Sequence, residues 1–405
     1  MADVFTRVTR TRFPARLCPV CGGAGSRLLY RQSFQQLSEI QPLDGYDVVI
    51  CEDCGAGYAD DIPQQAAFDD YYRQLSKYDY SDRGGQEPPG AGQRFEAVAD
   101  LLEPFILNRH SRILEIGSAS GKMLRVLKDR GFLNVLGCDP SPGCVRAAQE
   151  LYDIPSVAGT VFTVPEPEEP YDFLMLMGVM EHVRDLDRAV AQFHRLINAS
   201  GRVYLEVPDA SRYLPELDAP FQEFSTEHIN FFSARSLNNL MQAHGFRTVA
   251  NGHAVRPQYE ITCPVAYGVY EKSSKKIQLE RDTETEANLL AYVQGCQAED
   301  DRIREKIDRA IPAGAKVIVW GAGTHTLRLL GTGGLDPAKV ALFVDANAKY
   351  QNQRLQGIEV ISPAEVAGRV EPILISSRGF QREIHDQIRY ELKLRNPLIL
   401  LYDLA

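Results

Sequence analysis

One stretch constrains this chain more than any other. Residues Ser111-Arg112-Ile113-Leu114-Glu115-Ile116-Gly117 read as a short apolar strand ending in glycine. Ser118-Ala119-Ser120-Gly121 then opens a helical pattern from Lys122 to Gly131, and a second strand runs out to Asp139. Strand, glycine turn, helix, strand and acid in this order begin a doubly wound α/β domain that binds its ligand at the carboxyl edge of the sheet. The glycines let backbone approach the ligand. An acid at the end of the second strand is placed to accept both hydroxyls of a ribose. The G-x-G-x-x-G of a dinucleotide fold is absent: an acid, Glu115, precedes the first glycine, and Gly117 and Gly121 are four apart.

The alternation continues from Gln93 to about Phe246. Helical patterns 94–106, 144–152 and 186–201 separate strand-like runs at 171–183 and 201–208. Such alternation predicts a parallel sheet with helices on both faces. It restarts at Lys316 with Lys316-Val317-Ile318-Val319-Trp320-Gly321-Ala322-Gly323, followed by a helix and a strand ending at Asp345. That predicts a second, smaller doubly wound domain. Its glycine turn is half a dinucleotide fingerprint, with Thr326 where a third glycine would stand, so a nucleotide-shaped ligand or a purely structural turn fits better than NAD. Between the two, residues 272–312 are charged and helical in pattern and read as an exposed connecting helix or helix pair.

Ahead of both lie two CxxC pairs, Cys18-Pro-Val-Cys21 and Cys51-Glu-Asp-Cys54, each followed by glycine. Two residues between cysteines let one tight turn aim both thiolates at a metal, and two such turns complete a tetrahedron. The spacing predicts a structural four-thiolate zinc site, a redox CxxC being the alternative. A ribbon of roughly 60 residues is too small to hold together by its core alone, and a metal supplies what is missing. A tyrosine-rich stretch follows (Tyr71, Tyr72, Tyr78, Tyr80), then the linker-like Gly84-Gly85-Gln86-Glu87-Pro88-Pro89-Gly90. The tyrosines either pack the ribbon on the next domain or cover a ligand cleft.

Composition bounds the partners. The chain has 405 residues, 44 Lys plus Arg against 54 Asp plus Glu, and a formal charge of −10. That balance disfavours general nucleic-acid or anionic-membrane binding. Apolar runs such as 173–179 fall far short of the ~20 residues of a membrane span, and the basic N-terminus lacks an apolar signal core. The expectation is a cytoplasmic protein with reduced thiols and a small-molecule substrate.

A third constellation is Phe224-Ser225-Thr226-Glu227-His228-Ile229-Asn230-Phe231-Phe232-Ser233. A histidine beside a glutamate can serve as a general base near neutral pH if a cleft holds it; the alternative is a packing segment with a hydrogen-bonded histidine. Glu181-His182 is the competing pair.

The first glycine loop resembles that of the class I S-adenosylmethionine-dependent methyltransferases, with Ala119 in place of the middle glycine. The resemblance implies that Glu115, Gly117, Ser118, Ala119, Gly121 and Met177 lie along the cofactor and that Asp139 binds its ribose. Met177-Gly178-Val179-Met180-Glu181-His182-Val183 looks like the family's fourth-strand segment, in which the Glu-His pair has a structural or cofactor-side role.

The whole order resembles the sugar C-methyltransferases of deoxysugar biosynthesis. It implies a zinc-binding domain with the Tyr-rich segment at 1–75, with zinc on Cys18, Cys21, Cys51 and Cys54. A methyltransferase domain at 76–270, a helical connector at 271–312 and a C-terminal Rossmann-like domain at 313–405 follow. The implied substrate is a nucleotide-linked 4-keto-6-deoxysugar. His228, with Glu227 or a tyrosine such as Tyr78 or Tyr80, would remove the proton beside the ketone, and the enolate would take the methyl group. One segment departs from the family: His253-Ala254-Val255-Arg256 stands where a His-Gly-Gly-Ser-like run is usual. There Arg256 could hold a phosphate or carboxylate, or lie on the surface. Two other readings stand beside this one: an O- or N-methyltransferase on another sugar or small metabolite, and a zinc-ribbon binding protein with an inactive methyltransferase fold. The oligomeric state is not legible.

Overall fold

The computed structural model describes residues 13–37, 41–75, 91–258, 261–275 and 278–403. Three sheets organise them. In the first, β1 (Ser26–Ser33), β2 (Gly45–Cys51) and β3 (Gly57–Asp60) form an antiparallel meander, and α1 (Gln65–Leu75) follows. Gly22 and Gly55, each directly after a cysteine pair, have φ of +74° and +78°, where a side chain would be strained. The fourth strand comes from far along the chain: β9 (Asn230–Phe231) pairs antiparallel with β3, Tyr58 opposite Asn230.

α2 (Ala91–Leu102) leads into the second sheet. Its elements are β4 (Ile113–Ile116), α3 (Lys122–Asp129), β5 (Val135–Asp139), α4 (Pro142–Tyr152), β6 (Ser156–Ala158) and β7 (Tyr171–Met177). Then come α5 (Leu186–Leu196), β8 (Ile197–Pro208), α6 (Ala234–Ala243), β10 (Phe246–Gln258) and β11 (Ile261–Lys272). The helices form for ordinary reasons. α5 buries Leu186, Ala189, Val190 and Phe193, a stripe at three-and-four spacing. Ser141 caps α4, with Pro142 in the first turn, and Ser233 caps α6.

Strand order is β10-β11-β8-β7-β4-β5-β6. β4 to β8 run parallel, as the alternation predicts. β10 and β11 are a long hairpin, and β11 joins β8 antiparallel, so the sheet is mixed. A hairpin can only be antiparallel, which is the physical reason. The order reverses at β4, and a crevice opens at such a reversal beyond the carboxyl ends of the strands. Here it lies beyond Ile116 and Met177.

α7 (Thr285–Ala310) is one continuous helix and is not simply exposed. Leu289, Tyr292, Val293, Cys296, Ile303 and Ile307 are buried along one side. Charged residues on the other faces obscure that stripe in the sequence. The third sheet follows: β12 (Val317–Trp320), α8 (Thr324–Gly331), β13 (Val340–Val344), β14 (Arg354–Leu355), β15 (Ile358–Ile361), β16 (Ile373–Ile375), α9 (Gln381–Asp386) and β17 (Leu398–Leu400). Its order is β14-β15-β13-β12-β16-β17, parallel except for the β14–β15 hairpin.

A single apolar cluster runs from Phe34, just after β1, and Tyr46 and Val48 of β2 through α7 to Val319 and Phe343 of the third sheet. Within it Arg328, 1% exposed, makes two hydrogen bonds of 2.5 and 2.7 Å to the carboxylate of Asp300 on α7. Removing one partner of such a pair costs about 3–5 kcal/mol, because the other charge is left buried.

Half-buried beside it, His325 lies 2.7 Å from Tyr402 Oη through Nε2 and 3.1 Å from Ser376 Oγ through Nδ1. Burial, and then the Arg328 charge, lower its pKa from 6.5 to about 3. The unfolded chain therefore binds this proton first as pH falls. The stability His325 contributes is complete above pH 6.5 and lost progressively toward pH 3. At pH 5 the loss is about 2 kcal/mol relative to neutral. Urea unfolding at pH 7 and pH 5 tests this: His325→Gln is expected to remove that part of the acid sensitivity.

Candidate functional site

At the end of β4 the chain turns through Gly117, with φ of +75°, where a Cβ would collide with Val179. Gly121, with φ of +80°, starts α3. A Cβ there would meet Ala148 at 3.0 Å and Ile154 at 3.3 Å. Ala119 between them has φ of +44°, a left-handed conformation unfavourable for alanine. Its N–H donates to Asp139 Oδ2 at 2.9 Å, while Ser141 N–H donates to Asp139 Oδ1 at 2.9 Å. Asp139 thus ties the glycine loop to the end of β5. Glu115 is buried under the loop, and Met177 ends β7 across the crevice. Ser118 is buried too, and its hydroxyl has no hydrogen-bond partner among the described residues. An orphaned buried hydroxyl in a glycine loop fits a bound ligand.

The second cluster lies next to it. After β7, residues Met180–His182 form a single 3-10 turn. Asn230 clamps the 224–233 segment onto that turn by donating to Met180 O at 2.8 Å and Val183 O at 2.7 Å, and Ile229 N–H donates to Glu181 O at 2.8 Å. The two Glu-His pairs therefore converge. The His182 and His228 rings are 5.0 Å apart, edge to face. Tyr72 Oη is 2.8 Å from His182 Nδ1, and Tyr71 Oη donates to Glu227 Oε1 at 2.9 Å. Burial, reinforced by Glu227, holds the Tyr71 phenol well above its ordinary range, so it stays a donor. Burial, with Glu223 and Glu206 nearby, pushes the Glu181 carboxyl up to about 8. His228 Nδ1 lies 3.7 Å from Glu223 Oε2.

The cysteines come together as the spacing predicts. Cys18, Cys21, Cys51 and Cys54 place their sulfurs within 4.8 Å of one another, with Cys18–Cys54 at 3.6 Å and Cys21–Cys51 at 3.5 Å. A zinc tetrahedron with 2.3 Å bonds has sulfurs about 3.8 Å apart. The backbone N–H groups of Gly23 and Cys54 donate to Cys21 and Cys51 sulfurs, as thiolates require. Hydrogen bonding from Cys54 holds the Cys18 thiol below its ordinary range. The four residues fit a structural metal.

The sequence-predicted residues thus fall into three groups. Glu115, Gly117, Ser118, Ala119, Gly121, Asp139 and Met177 line the crevice end. Glu227 and His228 meet Glu181 and His182, and the cysteines form their own cluster. Tyr78 and Tyr80 lie outside the described residues. Tyr71 and Tyr72 reach this cluster through Glu227 and His182, and Tyr71 is buried there. Glu223 was not anticipated; its place in the aromatic 221–232 segment gives no local signal. Arg256 is not at the surface: it is 8% exposed and donates from Nε and Nη2 to Glu206 Oε2 at 3.1 and 2.9 Å.

Residues 91–251 match a family described as a methyltransferase domain, and residues 313–397 match one described as C2185-like, N-terminal. The fold is α/β with a class I methyltransferase unit, and the chain is an S-adenosylmethionine-dependent methyltransferase. Over 346 residues it is 26% identical to the C-methyltransferase NovU of Streptomyces niveus, spanning 80% of this chain and 78% of that protein. A probable S-adenosylmethionine-dependent methyltransferase of Mycolicibacterium smegmatis is 24% identical over 155 residues, 38% of this chain and 58% of that one. Among solved structures, the 1,6-didemethyltoxoflavin-N1-methyltransferase of Burkholderia thailandensis aligns with a TM-score of 0.40 at 19% identity, covering 55% of this chain and 98% of that one. Among the described residues, no helix is long and apolar enough to cross a membrane.

Proposed function

We propose that this methyltransferase alkylates carbon, and that its acceptor is a small keto sugar carried on a nucleotide. The observation that carries the reading is the convergence of Glu227-His228 with Glu181-His182 beside the cofactor crevice, in a chain similar over most of its length to a C-methyltransferase. A ketone acidifies the neighbouring carbon. His228, flanked by Glu227 and Glu223, accepts that proton, and the tyrosines Tyr71 and Tyr72 hold the carboxylate and the second imidazole in place. Tyr78 and Tyr80 are further candidates for the base or for donors to the enolate oxygen. When bound, S-adenosylmethionine supplies an electrophilic sulfonium methyl group. The chain's own task is to align the carbanion with that methyl, exclude water and stabilise the enolate.

In the same reading Glu115, Gly117, Ser118, Ala119, Gly121, Asp139 and Met177 hold the cofactor. Cys18, Cys21, Cys51 and Cys54 hold zinc in a domain of residues 1–75. Residues 76–270 form the methyltransferase domain, 271–312 the connector and 313–405 the C-terminal Rossmann-like domain.

A second reading, methyl transfer to oxygen or nitrogen, draws on the bulky Val255-Arg256 run, whose arginine is spent on Glu206. Deuterium exchange separates the two. A carbon methyltransferase incubated in deuterium oxide with a nucleotide-linked 4-keto-deoxysugar and S-adenosylhomocysteine, which cannot donate a methyl group, is expected to wash deuterium into the carbon beside the ketone. No enzyme-dependent exchange would overturn carbon methylation of this acceptor class.

A further inference from the structure

Arg94 stands in the first turn of α2. We infer that it is the oxyanion donor of the reaction: its guanidinium receives the negative oxygen that forms on the acceptor when the carbon beside the ketone loses its proton. The inference rests on the carbon-methylation reading and adds the residue that holds the enolate.

The run of the helix places it. Just past α2, Phe105 O accepts from Arg202 Nη1 at 2.9 Å, and Arg202 stands opposite Phe173 near the start of β7. The far end of α2 is therefore at the amino edge of the second sheet. Twelve residues rising 1.5 Å each carry the helix about 18 Å, which brings its first turn up to the carboxyl edge. Helical side chains lean toward the N-terminus, so Arg94 reaches out toward the crevice. α2 packs against α3 and β10, and its Val98, Ala99 and Leu102 share a cluster with Met177 and Tyr204. It thus covers β7 and β8, the half of the sheet away from Asp139.

The guanidinium lacks a partner of its own. Arg256 and Arg328, both buried, are each paired with a carboxylate. Arg94 is half-buried, and its Nε is closed off from solvent with no hydrogen-bond partner among the described residues. The Phe95 ring lies 4.7 Å from its Cζ. An N–H buried without an acceptor costs about 1–3 kcal/mol, which an arriving oxygen recovers.

Its charge acts on the acceptor side. Burial, with Glu223, Glu181 and Glu206 nearby, holds the Cys263 thiol well above its ordinary range, and Arg94 opposes that rise. It opposes the effect of burial on Glu181 in the same way. Cys263 is on β11 and Glu181 follows β7. Three glutamates in this space disfavour a further negative charge, so an enolate forming there needs a cation. Arginine stays charged at any working pH and does not compete for the proton.

The electrons balance without another reactant. As the base takes the proton, the C–H pair becomes the carbon–carbon π bond and the carbonyl π pair moves onto oxygen, which accepts from Arg94. As the carbon takes the methyl group, that π bond becomes the new carbon–carbon bond and the oxygen returns to a ketone. The bond to Arg94 is strongest between the two steps, so it favours the rate more than ground-state binding.

Deuterium wash-in tests it, with S-adenosylhomocysteine and a nucleotide-linked 4-keto-deoxysugar. Arg94→Ala is expected to slow exchange about 10²–10³-fold, the loss typical of one oxyanion donor. Calorimetry is expected to show unchanged affinity for S-adenosylhomocysteine, which also reports that the variant is folded. Added guanidinium ion, below denaturing concentration, is expected to restore part of the exchange in Arg94→Ala and none in His228→Ala. Arg94→Lys, which keeps the charge, is expected to lose less than Arg94→Ala. Exchange in Arg94→Ala close to the wild-type rate, or a loss that guanidinium does not relieve, would overturn the assignment. So would an equal loss of S-adenosylhomocysteine affinity, which would give Arg94 to the cofactor's carboxylate instead. A wild type that shows no exchange overturns carbon methylation of this acceptor class and the assignment with it, whereas equal exchange in both proteins overturns Arg94 alone.

Discussion

His228→Ala is expected to abolish methyl transfer and deuterium wash-in while leaving cofactor affinity unchanged. Loss of a positioned general base costs about 10²–10⁴-fold in rate. Cofactor affinity is spared because the crevice residues are held by other bonds: the glycine loop is fixed through Asp139, Ala119 and Ser141, none of which depends on His228. Tyr71→Phe is expected to act more weakly. It deletes the hydrogen bond to Glu227 but leaves the imidazole in place. Exchange kinetics in deuterium oxide, with calorimetry for S-adenosylmethionine, check both statements. Turnover within a few-fold of wild type in His228→Ala would remove that residue from the proton transfer and leave His182, 5.0 Å away, as the next candidate.

Loss of the metal proposed for the four cysteines is expected to be nearly as damaging, by a different route. Structural zinc contributes about 10–16 kcal/mol of binding free energy to small domains that need it. Cys51→Ser is expected to cut zinc content, read by elemental analysis, and to lower both stability and catalysis. The catalytic part follows from the sheet. Cys51 ends β2, β2 pairs with β3, and β3 pairs with β9, three residues beyond His228 at Phe231. Arg16 adds a further tie, since its guanidinium bonds to Arg184 O at 2.6 Å as well as to Ile229 and Asn230. Unchanged turnover in a zinc-depleted Cys51→Ser protein would show that this sheet does not support the site.

These two sites differ in how far the sequence reveals them. Glu115, Gly117, Gly121 and Asp139 are legible because strand, turn, helix and strand are contiguous, and each residue's place is set by neighbours within about 25 positions. The cysteine pairs are legible because each is a self-contained turn. The Glu-His convergence is not. It depends on a two-residue strand with no periodicity, on the side-chain amide of Asn230, and on Tyr71 reaching Glu227 across 156 positions. Segments such as β6 and β14 are too short to leave a pattern. The buried side of α7 is hidden for the opposite reason: it lies within a strongly charged stretch. Arg256 shows a third limit. The departure of the 253–256 segment from the resembled family suggests a surface or anion-binding arginine, and only the position of Glu206 on β8 explains its burial.

The pairing of β3 with β9 also bears on how this chain comes to be folded. Gly57 and Phe231 stand about 170 residues apart, so the first sheet cannot be completed until the ribosome has delivered most of the methyltransferase unit. Until then the outer edge of β3 exposes unpaired backbone groups, an invitation to association with other chains. A bound metal would hold the meander in shape through that interval. With the proposed ion on the four cysteines, synthesis in metal-poor medium then carries a penalty beyond the finished molecule: chains that wait for their last strand without it are the ones expected to aggregate.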